Sequence, residues 1–280
     1  MRSLYVVVYN TPKFTRASQK TSKDKTISEF LQRLKNHKVW HYDIGDDPSF
    51  YQFNQGKNLT WGICRTNIRN RLKKDDVVLF FCFCKDCFAY YLTGYATVDN
   101  IIKQSEIWQK KEYKLYRNYF NILIKPDGSK TRWIHSEILA DITGDHPDWL
   151  KRLIVSKGPN KLFALDKDTI KVAFTERNNY IIFKQDSADT FILKNQIKIA
   201  TWEPKDKKEV WLESDLSNKI YEFSFNLSNH SKYEIVSQTN RNSLRVHDRN
   251  QSHVFIKYEL EIDGLAQWKK DFKEYLEQNE

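Results

Sequence analysis

The densest run of chemistry-bearing side chains is Trp61-Gly62-Ile63-Cys64-Arg65-Thr66-Asn67-Ile68-Arg69-Asn70-Arg71-Leu72-Lys73-Lys74-Asp75-Asp76. An aromatic-Gly turn feeds a helix predicted over Thr66–Lys73. Arg65, Arg69 and Lys73 recur at i, i+4 and i+8 and share one helix face. With Arg71 and Lys74 they form a cationic set suited to phosphate oxygens. Just upstream, Trp40, Tyr42, Phe50, Tyr51 and Trp61 fall within 22 positions. Aromatic rings at that density can stack an extruded base, each worth about 1–3 kcal/mol. Asp43 and Asn67 carry the polar groups that would read its edge. Two plainer readings stay open beside these. Large aromatics also build cores, and a Lys/Arg helix face is also a solvated face.

His41, Asp43, Asp46 and Asp47 precede Cys64-Arg65. Carboxylates beside a histidine can move protons or hold a divalent ion, which makes His41, Asp43, Asp47 and Cys64 the candidate catalytic set. The alternative is turn chemistry, which Asp and Gly favour in any case. Cys82-x-Cys84-x-x-Cys87 with Cys64 lacks the paired spacing of a zinc site, and cysteines in an apolar strand behave as small hydrophobes. No metal and no cofactor is expected. His135 and His146 are isolated. The sequence carries no Walker loop, no dinucleotide-binding fingerprint and no clear nuclease signature of the Asp…Glu-x-Lys kind.

The formal net charge of +10 is unevenly placed. Residues 1–155 hold 26 Lys and Arg against 16 Asp and Glu, whereas residues 156–280 hold 20 of each. The whole excess lies in the first half, the footprint of a polyanion partner. Hydrophobic residues reach 40% and aromatics 14%, with 8 Gly and 6 Pro, a composition that argues against a disordered or repeat-built chain. No window approaches the ~20 apolar residues of a membrane span. The opening Leu4–Tyr9 run reads as a strand rather than a signal peptide. All four cysteines lie between Cys64 and Cys87, which fits a reducing, cytoplasmic compartment better than a disulfide scaffold.

The elements that must position these residues follow from periodicity and turn chemistry. Strands are predicted at Leu4–Tyr9, Val77–Phe83, Phe88–Val98 and Tyr113–Ile124. Helices are predicted from Thr26 and over Pro147–Leu153. Beyond Val155, strands are predicted at Thr169–Phe174, Tyr180–Phe183, Phe191–Ile199, Lys219–Phe225 and His253–Ile262. A closing helix, Gly264–Glu277, carries Leu265, Trp268, Phe272 and Leu276 on one face. The class is α+β, with a boundary expected at Val155–Asn160. That gives residues 1–155 as the binding domain and 156–280 as a β-rich accessory domain with a C-terminal helix.

The Trp61–Phe81 run, followed by Tyr91-Leu92-Thr93-Gly94-Tyr95-Ala96-Thr97-Val98, resembles the PUA-like superfamily, within it the EVE and YTH-type domains. These carry a Trp-x-Gly-x-Arg-Asn stretch and a helix ending in an Arg-Asn-x-Leu-like run. A Lys-x-Gly-Asp turn into a Val-Leu-Phe-Tyr strand and a Val-Gly-x-Ala-x-Val strand follow. Asp75-Asp76 stands here where that pattern has Gly-Asp, and Trp61-Gly62-x-x-Arg65 is one residue off the usual spacing. Tyr42-Asp43-Ile44-Gly45-Asp46-Asp47-Pro48-Ser49-Phe50 and Cys64-Arg65-x-x-x-Arg69 also resemble the nucleotide modification associated domains of phage and bacteria. Together the likenesses cover residues 1–155.

The resemblance implies a small PUA-like β-barrel with flanking helices and a pocket for one extruded, modified base. The base pocket would comprise Trp40, Tyr42, Asp43, Phe50, Tyr51, Trp61 and Asn67. Arg65, Arg69, Arg71, Lys73 and Lys74 would hold phosphates. The implied partner is nucleic acid, DNA ahead of RNA, in a bacterial or phage modification and restriction setting. Two other expectations stand beside it: an enzyme modifying a DNA base or nucleotide, and a protein–protein adaptor whose basic face is incidental.

Overall fold

The computed structural model describes residues 1–10, 48–53, 56–62, 66–84, 88–103, 106–107, 110–118, 179–206, 208–227, 231–239 and 256–279. The protein is mixed α+β and strand-rich, with an open sheet and a C-terminal helix. Two compact units are interleaved in sequence. One holds Met1–Thr11, Lys73–Asp99 and Phe183–Glu280, and the other holds Pro12–Leu72 and Asn100–Ile182. The units therefore do not coincide with residues 1–155 and 156–280; the expected boundary at 155–160 lies outside the described residues.

The first unit is built around β1 (Arg2–Asn10) and β3 (Val77–Cys84), which run parallel from Leu4↔Val77 to Asn10↔Phe83. On its other edge β1 pairs antiparallel with β9 (Ile256–Leu260), which pairs with β8 (Ile235–Thr239). Beyond β3 come β4 (Ala89–Lys103), β6 (Thr190–Glu203) and β7 (Lys208–Trp211), all antiparallel. Sequence-distant segments thus share one sheet, because the apolar runs of both halves need each other to be buried. Val6, Val8, Leu79, Phe80 and Phe81 are all out of solvent, so the central strands read as continuous apolar runs.

Two helices cover one face. In α3 (Asp215–Phe225) Ser214 is the N-cap, its Oγ accepting the Ser217 N–H at 3.1 Å. In α4 (Ile262–Glu277) Leu265, Trp268, Phe272 and Leu276 are buried, the stripe that the spacing predicts. Trp268 Nε1 donates to the Phe223 carbonyl at 3.0 Å, and its ring stacks on Phe272 at 5.0 Å.

Two elements differ from expectation. Lys219–Phe225 is helix rather than strand. The alternation Ile220-Tyr221-Glu222-Phe223-Ser224-Phe225 mimics a strand, but the Ser214 cap and the burial of Ile220 and Phe223 three apart fit a helix. Lys111–Asn118 is a 3-10 helix rather than the start of a strand over 113–124. Tyr113 and Tyr116 then eclipse at three-residue spacing and lie 6.4 Å apart. The helices expected from Thr26 and over Pro147–Leu153, and the strand at Thr169–Phe174, lie outside the described residues.

The second unit joins β2 (Thr60–Trp61) to β5 (Asn179–Phe183) through Thr60↔Ile182 and Trp61↔Ile181. Ser49 ties onto β2: its N–H donates to the Thr60 carbonyl at 2.8 Å, and its Oγ accepts the Thr60 N–H at 2.8 Å. The Tyr180 hydroxyl donates to Thr60 Oγ1 at 2.9 Å. Ile102, Ile107, Tyr116, Tyr180 and Ile182 form its apolar cluster.

Gly94 sits at φ +140 inside β4, and a Cβ there would overlap the Phe191 carbonyl and stand 2.9 Å from Ile192 Cα. The strand demands both a backbone closed to side-chain-bearing residues and room that only hydrogen leaves. Gly94→Ala is expected to lower unfolding free energy by more than ~1 kcal/mol. Urea denaturation would show this as a lower midpoint at unchanged slope.

Candidate functional site

The predicted site residues fall into three groups. Trp40, His41, Tyr42, Asp43, Asp46, Asp47, Cys64 and Arg65 lie outside the described residues. Tyr51 sits in the short helix α1 (Phe50–Phe53) and Asn67 in α2 (Thr66–Arg69); only their backbone placement is described. The others have described side chains. Phe50 and Trp61 are both fully buried, a placement that suits a core as readily as a pocket wall.

Arg69 requires a correction. The expected helix over Thr66–Lys73 is shorter: α2 stops at Arg69, so Arg69 and Lys73 do not share a helix face. Asn70 turns away and accepts the Asn179 N–H at 3.2 Å, the competition with helix that Asn side chains offer. The Arg69 guanidinium is fully buried and donates to the Asn179 carbonyl, so it ties α2 to β5 rather than facing phosphate. Arg71, Lys73 and Lys74 are exposed, as a phosphate contact requires.

The turn that carries Lys73 and Lys74 is tightly made. Asp76 is buried; its carboxylate accepts the Lys73 N–H at 2.8 Å and the Ser3 N–H at 2.9 Å. Burial raises its carboxyl above the ordinary value, against the pull of those two donors. Asp75 takes φ +69, the left-handed region that Asp tolerates better than most residues. Its carboxylate pairs with Arg2 at 3.2 Å and Lys184 at 3.0 Å. Lys184 also reaches Asp189 at 3.4 Å, and Lys269 pairs with Asp189 too. A chain of alternating charge therefore pins the turn, while Lys73 and Lys74 project from it.

Sequence reasoning missed a second polar group. Tyr9, near the carboxyl end of β1, pairs in register with Cys82 of β3, Cys82 with Tyr91 of β4, and Tyr91 with Lys198 of β6. These four form one row across the sheet. Beside it both β4 and β6 bulge. Leu92 and Gly94 oppose the adjacent residues Phe81 and Phe80, leaving Thr93 extra; the same two oppose Ile197 and Ile192, leaving residues 193–196 extra. Bulges re-aim side chains, and here they bring Thr93 and Gln196 to the Tyr9 hydroxyl. Tyr9 Oη and Thr93 Oγ1 are 2.9 Å apart. Gln196 Nε2 donates to Tyr9 Oη at 3.1 Å and to Thr93 Oγ1 at 3.0 Å. Both amide protons are then used, and the buried Gln196 Oε1 has no hydrogen-bond partner. Burial pushes the Tyr9 hydroxyl and the Cys82 thiol well above their ordinary ranges, so both are neutral and protonated. The signals that could have found this group are Thr93 before Gly94 and a lone Gln between the lysines of β6.

A test of the turn follows from Asp75. Asp75→Val should destabilise by about 1–2 kcal/mol, because a β-branched residue resists the left-handed backbone. Asp75→Gly loses the partly exposed ion pairs but relieves the backbone, so its net change should stay within about 1 kcal/mol. Chemical denaturation of the two variants in parallel measures the difference.

No protein-family model matches the chain, and no curated protein and no solved structure matches it either.

Proposed function

We propose that this protein binds nucleic acid, DNA ahead of RNA, and reads a modified base held in an aromatic pocket, in a bacterial or phage modification and restriction setting. The observation that carries the reading is the charge asymmetry: the whole net charge of +10 belongs to residues 1–155. A polyanion is the partner that such a field attracts. Exposed Arg71, Lys73 and Lys74 support phosphate contact. The proposed domain is PUA-like. The order of β2, α2, the Lys73–Asp76 turn, β3 and β4 supports this, as does the positive φ of Asp75 where the resembled pattern has glycine. Trp61 and Phe50 would form the inner wall of the pocket, with Trp40, Tyr42 and Tyr51 as its other aromatics.

The test is equilibrium binding of modified and unmodified oligonucleotides at two or more salt concentrations. Lys73→Glu with Lys74→Glu should weaken binding to every sequence alike. It should also reduce the slope of log K against log salt by roughly 2, since each lost phosphate contact contributes about 0.9. Binding of the double variant at wild-type strength and slope would rule these lysines out as phosphate contacts. Failure of the wild type to bind any oligonucleotide at low salt would rule out the function itself.

A further inference from the structure

Resting on the nucleic-acid reading above, we infer that the 3-10 helix Lys111–Asn118 of the second unit is a phosphate-tracking ridge, in which Lys111 and Lys114 contact successive phosphates of one nucleic-acid strand.

Charge divides between the two units more sharply than between the two halves of the chain. The second unit, residues 12–72 and 100–182, holds 27 Lys and Arg against 15 Asp and Glu, a net +12. The first unit holds 19 against 21, a net −2. A polyanion is therefore drawn to the second unit. Several cations of the first unit are also occupied internally, Lys184 and Lys269 by Asp189 and Lys232 by Asp271. In the second unit Lys103 Nζ donates to Asn179 Oδ1 at 2.9 Å, and Lys110 pairs with Glu106 at 2.7 Å. Lys111 and Lys114 differ from these: both are exposed, and neither forms an ion pair among the described residues.

The winding of the helix makes them neighbours. A 3-10 helix has three residues per turn, so residues i and i+3 eclipse and the helix has three edges. Tyr113 and Tyr116 share the inner edge, where buried Tyr116 lies 6.2 Å from the Tyr180 ring. Their packing on the apolar cluster of the unit fixes which edges meet water. Lys111 and Lys114 share the second edge, and Arg117 is the next position of that series along the backbone. Glu112 and Leu115 share the third, so the acid of this helix stands off the basic edge. At a rise of about 2.0 Å per residue, Lys111 and Lys114 are about 6 Å apart along the axis. That is close to the separation of neighbouring phosphates on one strand. The strand expected over 113–124 would instead send Lys114 and Arg117 to opposite faces.

The experiment uses the full chain, a single-stranded and a duplex oligonucleotide, and phosphatidylcholine vesicles containing phosphatidylserine. Binding is measured across a range of salt. Lys111→Gln with Lys114→Gln should weaken binding to oligonucleotides of any sequence. It should also lower the slope of log K against log salt by about 1.4–1.8, two phosphate contacts at roughly 0.7–0.9 each. Each single variant should lower the slope by about half as much, and the singles decide the matter if the double variant does not fold. Lys205→Gln with Lys270→Gln removes the same charge from exposed positions of the first unit and should leave the slope unchanged. Equal effects of the two double variants would trace the loss to overall charge and overturn the inference. A wild-type slope in folded variants at 111 and 114 overturns it too, and leaves the proposed function standing. Loss of vesicle binding with oligonucleotide binding intact assigns the ridge to a lipid surface and likewise overturns it. A wild type that binds neither oligonucleotide at low salt removes this inference and the proposed function together.

Discussion

The parallel pairing of β1 with β3 is the constraint on which the rest depends. Parallel neighbours need a long connection, and here residues 11–76 supply it, including Pro12–Leu72 of the second unit. A parallel pair is also buried on both faces, so neither strand alternates polar with apolar. Every backbone group near it must then find a partner inside the protein. Asp76 answers that need at the entrance to β3, where one carboxylate takes the Ser3 and Lys73 N–H groups. The same turn needs a left-handed residue at Asp75, whose charge is then held by Arg2 and Lys184. Lys73 and Lys74 owe their exposure to this compact turn rather than to a helix face.

The antiparallel side of the sheet solves a different problem. Gly94 lets β6 approach β4 at a place where a side chain would strike the Phe191 carbonyl. Near that approach the register slips, and the extra residues Thr93 and Gln196 carry polar groups into an apolar interior. Three hydrogen bonds satisfy most of that polarity; Gln196 Oε1 is the remainder. Its amide joins β6 to β1 and β4 through the Tyr9 and Thr93 hydroxyls.

Basic side chains divide by what surrounds them. The i, i+4 spacing of Arg65 and Arg69 on a helix predicts a phosphate ligand at Arg69. It is in fact a structural tie, since the Asn179 carbonyl of β5 needs a donor and guanidinium has donors to spare. Lys269 and Lys184 likewise serve Asp189 inside the unit. Net charge therefore overstates the cations that can meet a polyanion, while Arg71, Lys73 and Lys74 are exposed and remain candidates for phosphate.

By itself the sequence determined the α+β class, the apolar strands at Leu4–Tyr9 and Val77–Phe83, and the buried stripe of the last helix. Each is a local pattern: a short apolar run, a period, a turn. Where two local patterns compete, it misled. Residues 219–225 alternate like a strand, yet the cap at Ser214 starts a helix; residues 111–118 wind into a 3-10 helix that pairs Tyr113 with Tyr116. Only the tertiary structure decided which strands meet, because pairing joins residues such as Leu4 and Tyr258 that no window contains together. The burial of Arg69 and the meeting of Tyr9, Thr93 and Gln196 belong to the same class. They depend on register across strands far apart in the chain, and register is set by the whole sheet's need to bury its apolar faces.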